Sequence, residues 1–240
     1  MICMSAIICA AGSSSRMGGK KKEFMLLEDN LTVLGKSIMV FASCNIFPII
    51  VSLPPDTENP KELLPEGMED RVIFCSGGKN RRASVYNSLL CLDSFSKKEK
   101  INISHVLIHD GARPWISKEL IENIIDALSA NCAVIPALPL LETPKIISRE
   151  KNLSSQTEKI YINNHLKRAD VWLAQTPQGF AFPQILDAHE KAGMMEAREN
   201  REYTDDAEVW GEFIGHVAVI QGDPANRKIT FPEDLLQEKR

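Results

Sequence analysis

The sequence predicts an α/β fold in which a mostly parallel sheet carries helices on both faces. Short apolar segments of strand length alternate along the chain with segments whose apolar residues recur at helical spacing. This alternation is typical of strand–helix–strand units, which place their strands parallel and bury both faces of the sheet. Right-handed crossovers bring the strand-to-helix loops to one edge of the sheet, where ligands of open α/β sheets bind.

The predicted elements cover most of the chain. Six segments are predicted strands: Ser5–Cys9, Pro48–Ser52, Val72–Cys75, His105–His109, Ala133–Pro136 and Val217–Gln221. Four segments are predicted helices: Val33–Ala42, Arg82–Leu92, Lys118–Ser129 and Phe182–Ala192. From Lys145 to Leu166 the sequence is polar, and alternating Ile160 and Ile162 indicate a short strand in a loose loop or a projecting arm. We therefore predict one domain over residues 1–240, with an arm at about 145–166.

The composition is that of an ordinary soluble protein. The 240 residues are 44% hydrophobic and 25% charged, and no apolar run approaches the ~20 residues that a membrane span needs. The net charge of −4 argues against general nucleic-acid binding. The opening Met1-Ile2-Cys3-Met4 has no cationic segment, so we expect no signal peptide and a cytoplasmic location, away from membranes.

The cysteines are widely spaced and form no CxxC pair. Most lie inside apolar runs, so we expect reduced, buried side chains in a reducing compartment rather than disulfides or zinc ligands. The six are Cys3, Cys9, Cys44, Cys75, Cys91 and Cys132.

The strongest functional signal directly follows the first predicted strand. It reads Ala10-Ala11-Gly12-Ser13-Ser14-Ser15-Arg16-Met17-Gly18-Gly19-Lys20-Lys21-Lys22-Glu23-Phe24. Small residues let the backbone turn tightly and present N–H groups to an oxyanion, while Arg16 and Lys22 add charges that suit a polyphosphate. Ser14 stands where a Walker A loop or a Rossmann fingerprint would have glycine. A solvated turn with a basic flank is the alternative, and the position after the first strand favours binding.

Two further loops follow predicted strands. Gly77-Gly78-Lys79-Asn80-Arg81-Arg82-Ala83-Ser84 leads into a helix, and its glycines allow a flat base to approach the backbone. The alternative is a helix start at which Ser84 merely bonds the backbone. In Ile108-His109-Asp110-Gly111-Ala112-Arg113-Pro114, Asp110 is placed to meet a ribose hydroxyl or a Mg²⁺ ion that bridges phosphates. We expect His109 to be a packed strand residue, and Arg113 to be either a structural ion pair or a ligand contact.

The order of these blocks resembles a known family. A-A-G-x-x-x-R-M with a lysine six residues after the arginine is similar to the signature of sugar and polyol nucleotidyltransferases. The spacing from Arg16 to Lys22 resembles the 2-C-methyl-D-erythritol 4-phosphate cytidylyltransferases. The blocks H-D-x-A-R-P, T-P-Q-x-F and N-x-K-[IV]-T-x-P-E-D-L follow in the family's order, so the resemblance covers nearly the whole chain. It implies a Rossmann-like sheet of the nucleotide-diphospho-sugar transferase type with a projecting β-arm.

The resemblance also implies an activity and a set of site residues. The expected reaction transfers CMP from CTP to a polyol phosphate, with Mg²⁺ bound mainly through the CTP phosphates and assisted by Asp110. The implied catalytic residues are Arg16, Lys22, Arg168 and Lys228. The implied nucleotide-binding residues are Ala10, Ala11, Gly12, Gly77, Gly78, Arg81, Ser84 and Asp110. The implied acceptor-binding residues are Thr143, Arg168, Thr176, Thr204 and Lys228. The family's arm implies a homodimer in which Thr143 and Arg168 complete the neighbour's active site.

Some positions depart from the family's pattern, and alternatives remain open. Lys79 stands where some members carry an acidic residue, Glu142 and Pro144 flank Thr143 unusually, and Ala225 replaces an acidic residue before the asparagine. A sister enzyme that uses another polyol phosphate, such as ribitol 5-phosphate, would share the nucleotide blocks. A silent nucleotide-binding module is the alternative from another class, and the complete cationic set speaks against it.

Overall fold

The elements lie in alternating order along the chain in the computed structural model, which describes residues 3–12, 14, 17–18, 21–151 and 158–237. The strands are β1 (Met4–Cys9), β2 (Ile49–Leu53), β3 (Val72–Ser76), β4 (His105–Asp110), β5 (Ala133–Pro139), β6 (Lys145–Lys151), β7 (Glu158–His165), β8 (Trp172–Ala174), β9 (Gln178–Ala181) and β10 (Ala218–Gln221). The helices are α1 (Val33–Ser43), α2 (Arg81–Glu99), α3 (Lys118–Leu128), α4 (Gln184–Glu199) and α5 (Asp206–Phe213). Short 3-10 turns cover Lys22–Phe24, Pro60–Leu63, Arg168–Asp170 and Pro232–Gln237.

The main sheet has the order β10-β5-β9-β4-β1-β2-β3, with β8 paired to β5. Strand β1 is parallel to β2 and β4, β2 is parallel to β3, and β5 is parallel to β10. The predicted mostly parallel α/β fold is confirmed. Strands β8 and β9 are antiparallel to their neighbours, and the sequence did not predict them. Three or four residues are too few to establish a period-two pattern, which explains why they were missed.

The helices cover both faces of the sheet. In β1, Ala6 and Ile8 face a core shared with α1 and α3, while Ile7 faces a second core shared with α2, α4 and α5. Successive side chains of a strand point to opposite faces, so a continuous apolar run is buried on both sides. Helix α5 was not predicted because its eight residues are too few for a clear helical period, and α2 and α4 extend beyond their predicted ends.

The predicted arm is a hairpin that lies apart from the main sheet. Strands β6 and β7 pair antiparallel with each other and form a separate two-stranded sheet. The strand predicted at Ile160 and Ile162 is confirmed, and both side chains are exposed. Residues 152–157 of the arm lie outside the described residues, and the role of the arm in dimerisation stays a prediction.

The cysteines are free, but the prediction that they are buried was wrong in part. Five are half-buried and Cys132 is exposed, because several lie near strand or helix ends rather than in the apolar centre. Within the described part of the chain, no helix is long and apolar enough to cross a membrane.

Candidate active site

A cavity of about 520 Å³ opens at the carboxyl edge of the main sheet, where β1, β3 and β4 end. All three predicted loops contribute to it, as expected for an open α/β sheet. Eight of the residues named from the sequence line it: Ala11, Gly12, Lys22, Gly78, Arg81, Ser84, Asp110 and Lys228. Ala10 and Gly77 lie directly behind this lining, next to Ala11 and Gly78. Arg16 lies outside the described residues, so its role stays a prediction.

The loop after β3 is held in shape by a serine at the start of α2. The backbone N–H of Gly78 donates to Oγ of Ser84 at 2.9 Å, and that hydroxyl donates to the carbonyl of Asn80 at 2.9 Å. Asn80 also caps α2, since its Oδ1 accepts from the N–H of Ala83 at 2.8 Å. Ser84 therefore bonds the backbone and lines the cavity at once, so the two interpretations of this residue are compatible.

The two glycines of this loop allow it to pack closely. A Cβ at Gly77 would overlap the side chain of Ala11 in the loop after β1. A Cβ at Gly78 would lie 2.5 Å from that of Ala83. Both loops therefore approach each other as closely as the backbone allows, which leaves the backbone itself as part of the cavity wall.

Asp110 is surrounded by three cations. Its Oδ2 lies 2.8 Å from Nζ of Lys228 and 3.5 Å from Nε of Arg113, and its Oδ1 lies 3.7 Å from Nε of Arg81. Burial alone would raise the pKa of Asp110, but the three cations outweigh it and hold that pKa well below its ordinary range. Asp110 is therefore ionised. Arg113 also donates to the carbonyl of Asn226 at 2.8 Å and does not line the cavity, which favours the structural ion pair.

Lys22 joins the loop after β1 to the segment that carries Lys228. It begins the 3-10 turn after the loop, and its side chain is 8% exposed. Its Nζ donates to the carbonyl of Ile229 at 2.8 Å. The two lysines named from the sequence thus lie in one cavity although more than two hundred positions separate them in the chain.

Sequence reasoning missed several residues that line the cavity. These are Lys21, Glu23, Glu202 and Thr230. Glu23 and Glu202 add two carboxylates to the cavity lining besides Asp110. Burial raises the pKa of Glu23, whose Oε2 accepts from Oγ of Ser14 at 3.2 Å. The position of Glu23 beside Lys22 was a usable signal, whereas Glu202 lies in a loop without a pattern.

Two of the predicted acceptor-side residues lie at the base of the arm. Thr143 and Arg168 are both exposed, and Nη1 of Arg168 donates to the carbonyl of Leu141 at 3.0 Å. Neither residue lines the cavity of the same chain. Within the described part of the chain, the structure therefore does not bring these two residues together with Lys22 and Asp110.

The other two predicted threonines make internal hydrogen bonds instead of lining the cavity. Oγ1 of Thr176 lies 3.0 Å from Nδ1 of His109 and accepts from the N–H of Asp110 at 3.1 Å. The N–H and Oγ1 of Thr204 both donate to Glu208 in the first turn of α5 at 2.9 Å. In this chain the hydroxyl of Thr176 supports the β4 end from behind, and that of Thr204 supports a helix start.

His109 is a packed strand residue, as predicted. It is fully buried, its ring lies 5.2 Å from that of Phe41, and its Nε2 lies 3.1 Å from the carbonyl of Arg113. Burial lowers the pKa of His109 to about 4, so the imidazole is neutral at physiological pH.

Comparison with known proteins places the chain in a family. The model of the family described as 2-C-methyl-D-erythritol 4-phosphate cytidylyltransferase matches residues 4–239. The chain belongs to this family. The predicted resemblance is confirmed, and the protein is a cytidylyltransferase, a class of nucleotidyltransferase.

Individual relatives are similar over nearly the whole chain. A 2-C-methyl-D-erythritol 4-phosphate cytidylyltransferase of Prochlorococcus marinus (strain MIT 9313) is 34% identical over 234 residues, which are 97% of this chain and 95% of the relative. The crystal structure of 4-diphosphocytidyl-2C-methyl-D-erythritol synthase from Anaerococcus prevotii DSM 20548 has a TM-score of 0.76 and 29% identity, with 98% and 93% of the two chains covered. The bifunctional enzyme IspD/IspF of Lawsonia intracellularis (strain PHE/MN1-00) is 34% identical over 244 residues, and the match covers 96% of this chain and 55% of that enzyme.

Proposed function

We propose that this protein transfers the CMP group of CTP to the phosphate of 2-C-methyl-D-erythritol 4-phosphate in isoprenoid precursor biosynthesis by the non-mevalonate pathway. The products are 4-diphosphocytidyl-2-C-methyl-D-erythritol and pyrophosphate. The observation that carries the proposal is the cavity at the sheet edge, in a chain of this family. Lys22 lines this cavity, and Lys228 and Arg81 lie beside the ionised Asp110 in it.

The reaction needs no covalent enzyme intermediate. An oxygen of the acceptor phosphate is already anionic, so it attacks the α-phosphorus of CTP in line, and the bond to the pyrophosphate leaving group breaks. The protein's tasks are to offset the repulsion between two polyanions and to hold the near-attack geometry. Cations that converge from separate loops in a protein of net charge −4 suit both tasks.

We assign the roles within the cavity by position. The loop after β1, with Lys22 and Arg16, holds the triphosphate and stabilises charge that develops around the α-phosphorus. The loop of Gly77, Gly78 and Ser84 presents its backbone to the cytosine. Lys228 faces the attacking phosphate. Because the Lys228 ammonium bonds Asp110 in this structure, it stands in the cavity before any acceptor arrives.

The carboxylate of Asp110 suits a divalent metal that is bound mainly through nucleotide phosphates. An ionised carboxylate oxygen is a ligand that Mg²⁺ prefers, and Asp110 supplies one inside the cavity. Among the described residues no group of three or more His, Cys, Asp or Glu side chains could hold a metal by itself. When bound, Mg²⁺ would neutralise part of the charge of the phosphates. Asp110 would orient that complex from the protein side.

Removal of the metal tests this assignment. We expect a chelator to abolish activity and added Mg²⁺ to restore it. In calorimetric titrations, the nucleotide-free protein should bind Mg²⁺ weakly and the CTP complex should bind it more tightly. Tight, stoichiometric binding of Mg²⁺ without nucleotide would contradict the assignment.

We also propose a homodimer in which the arm of one chain reaches the active site of the other. Apolar side chains are exposed on and beside the hairpin, and burial against a symmetric copy would remove them from water. They are Leu141, Ile146, Ile147, Ile160, Ile162, Trp172 and Leu173. Thr143 and Arg168 lie at the base of this hairpin and outside their own chain's cavity, so they are available to a partner. The free cysteines support a cytoplasmic location.

The proposed reaction is tested by pyrophosphate release from the purified protein. CTP is combined in turn with 2-C-methyl-D-erythritol 4-phosphate, ribitol 5-phosphate and other polyol phosphates. We expect 2-C-methyl-D-erythritol 4-phosphate to give the highest kcat/KM. A higher value with ribitol 5-phosphate would assign the sister activity instead, and CTP binding without turnover of any acceptor would leave a silent nucleotide-binding module.

A further inference from the structure

We propose that Asp206, which lies outside the cavity, is a positioning residue that fixes the guanidinium of Arg81 for nucleotide binding. This inference rests on the proposed function, because it concerns how the same cavity binds CTP. It assigns a role to the start of α5, a helix that contributes no residue to the cavity lining.

The guanidinium of Arg81 lies between two carboxylates. Its Nη2 donates to Oδ2 of Asp206 at 2.7 Å, whereas its Nε lies 3.7 Å from Oδ1 of Asp110. The shorter contact is a charge-assisted hydrogen bond, which defines direction as well as distance. Because Arg81 lines the cavity and Asp206 does not, the carboxylate that orients this arginine is outside the site.

Asp206 is itself held rigidly. It is fully buried at the first turn of α5, where the helix N-terminus favours a negative charge. Its N–H donates to Oε1 of Gln178 at 3.1 Å, and Nε2 of Gln178 donates to Asp205 at 2.9 Å. Nε2 of His189 lies 3.2 Å from the other oxygen of Asp206. The contact from β9 thus fixes the backbone of Asp206, and His189 of α4 lies against its carboxylate, before any ligand binds.

Loss of the Asp206 charge would change which ion pairs form inside the cavity. Burial alone would lower the pKa of Arg81, but Asp206 and Asp110 outweigh burial and raise it. Without Asp206, Arg81 would keep its ion pair with Asp110, so it would compete with Lys228 for the same carboxylate. A displaced guanidinium would also disturb the loop that begins at Gly77, because Arg81 is the first residue of the helix that this loop enters.

A neighbouring ion pair provides a matched control. Nε of Arg82 lies 2.8 Å from Oε2 of Glu196, and Nη1 of Arg82 donates to the carbonyl of His189 at 3.0 Å. This pair is buried and joins α2 to α4, as the Arg81–Asp206 pair joins α2 to α5, but Arg82 does not line the cavity. A purely structural role would therefore be shared by both pairs, and an effect on CTP would be confined to Arg81 and Asp206.

The test is a double-mutant cycle with Asp206→Asn and Arg81→Lys, measured by CTP titration calorimetry, steady-state kinetics and Tm. Each single variant should raise the Kd and KM for CTP about ten- to a hundredfold, the effect of losing a hydrogen bond to a charged group, with kcat changed less than threefold. The Kd for CTP of the double variant should not exceed the higher of the two single-variant values, because Asp206 acts through Arg81. Arg82→Lys should lower the Tm and leave the Kd for CTP unchanged.

Three results would overturn the inference. They are additive effects in the cycle, a Kd for CTP in Asp206→Asn equal to that of the wild type, and an equal rise in Kd for Arg82→Lys. Should Asp206→Asn not fold, Asp206→Glu keeps the charge and displaces it, and an unchanged Kd for CTP in that variant overturns the inference as well. A wild-type protein that does not bind CTP refutes the proposed function instead, so the two failures are distinguishable.

Discussion

The proposed nucleotide side and the proposed acceptor side of this molecule differ in how far one chain builds them. On the nucleotide side, Lys22, Ser84 and Asp110 are all less than a tenth exposed and line one cavity. On the acceptor side, Thr143 and Arg168 are exposed at the base of a hairpin and lie outside that cavity. Lys228 belongs to both sides, because it lines the cavity and is our assigned contact for the attacking phosphate.

The difference follows from what supports each side. The ends of β1, β3 and β4 are fixed by neighbouring strands and by helices packed on both faces, so their loops are preorganised. The β6–β7 hairpin pairs only with itself among the described residues, so nothing within that part of the chain directs its base toward the cavity. A sheet edge can thus complete a nucleotide pocket within one chain, while a projecting arm suits contact with a second chain.

The largest expected effect tests the nucleotide side. Lys22→Ala should lower kcat about 10²- to 10³-fold and weaken CTP binding less, because the charge it stabilises develops in the transition state. Single-turnover rates and CTP titrations of the variant measure the two quantities separately. A variant with an unchanged maximal rate and a raised KM for CTP would make Lys22 a ground-state binder.

A mixture of two inactive variants tests whether the two sides come from different chains. Lys22→Ala and Arg168→Ala are unfolded together and allowed to reassociate at random. Half of the dimers are then mixed, and each mixed dimer has one intact site, so about a quarter of the wild-type activity should return. Mixed dimers confirmed by mass spectrometry but without activity would contradict the shared site, as would a monomer at working concentration.

The preference for one nucleotide tests whether the nucleotide side contains a specific base pocket. Cytosine and uracil differ by the exchange of a hydrogen-bond donor for an acceptor. A pocket that pairs its buried polar groups with cytosine leaves them unpaired with uracil, and therefore rejects UTP. We expect kcat/KM for CTP to exceed that for UTP about 10- to 100-fold. Equal efficiencies would show that Gly77, Gly78 and Ser84 do not form the base pocket.

The smallest effect comes from a pair of glycine substitutions. Gly77→Ala must displace the loop of Ala11, so it should cost about 1–3 kcal/mol of unfolding free energy and raise the KM for CTP. Gly211→Ala is the matched control, because its Cβ would meet no atom within 4 Å on the exposed face of α5. It should stabilise the protein by about 0.5–1 kcal/mol with CTP kinetics unchanged. Denaturant unfolding measures the stability of both variants, and steady-state kinetics measures their KM for CTP. Equal KM values in the two variants would show that the close packing of Gly77 does not affect CTP binding.

The sequence by itself determined the mostly parallel sheet and the three loops of the nucleotide side. A strand buried on both faces reads as a continuous apolar run, and small or charged residues at its carboxyl end stand out against it. Gly12, Gly78, Lys22 and Asp110 could therefore be named before their distances were known. The family's block order added Lys228, whose distance along the chain from Asp110 gives no local signal of contact.

Only the tertiary structure decided where the remaining side chains point. Thr176 and Thr204 lie in specific blocks, yet their hydroxyls bond Asp110 and Glu208 within the fold. Glu23 and Glu202 reach the cavity although no sequence period marks them. Asp206 meets Arg81 across 125 positions of sequence. Hydrogen bonds between distant segments depend on packing and leave no periodic pattern in the sequence. The sequence therefore predicted the strands and loops that form the site, and the tertiary structure determined its side-chain contacts.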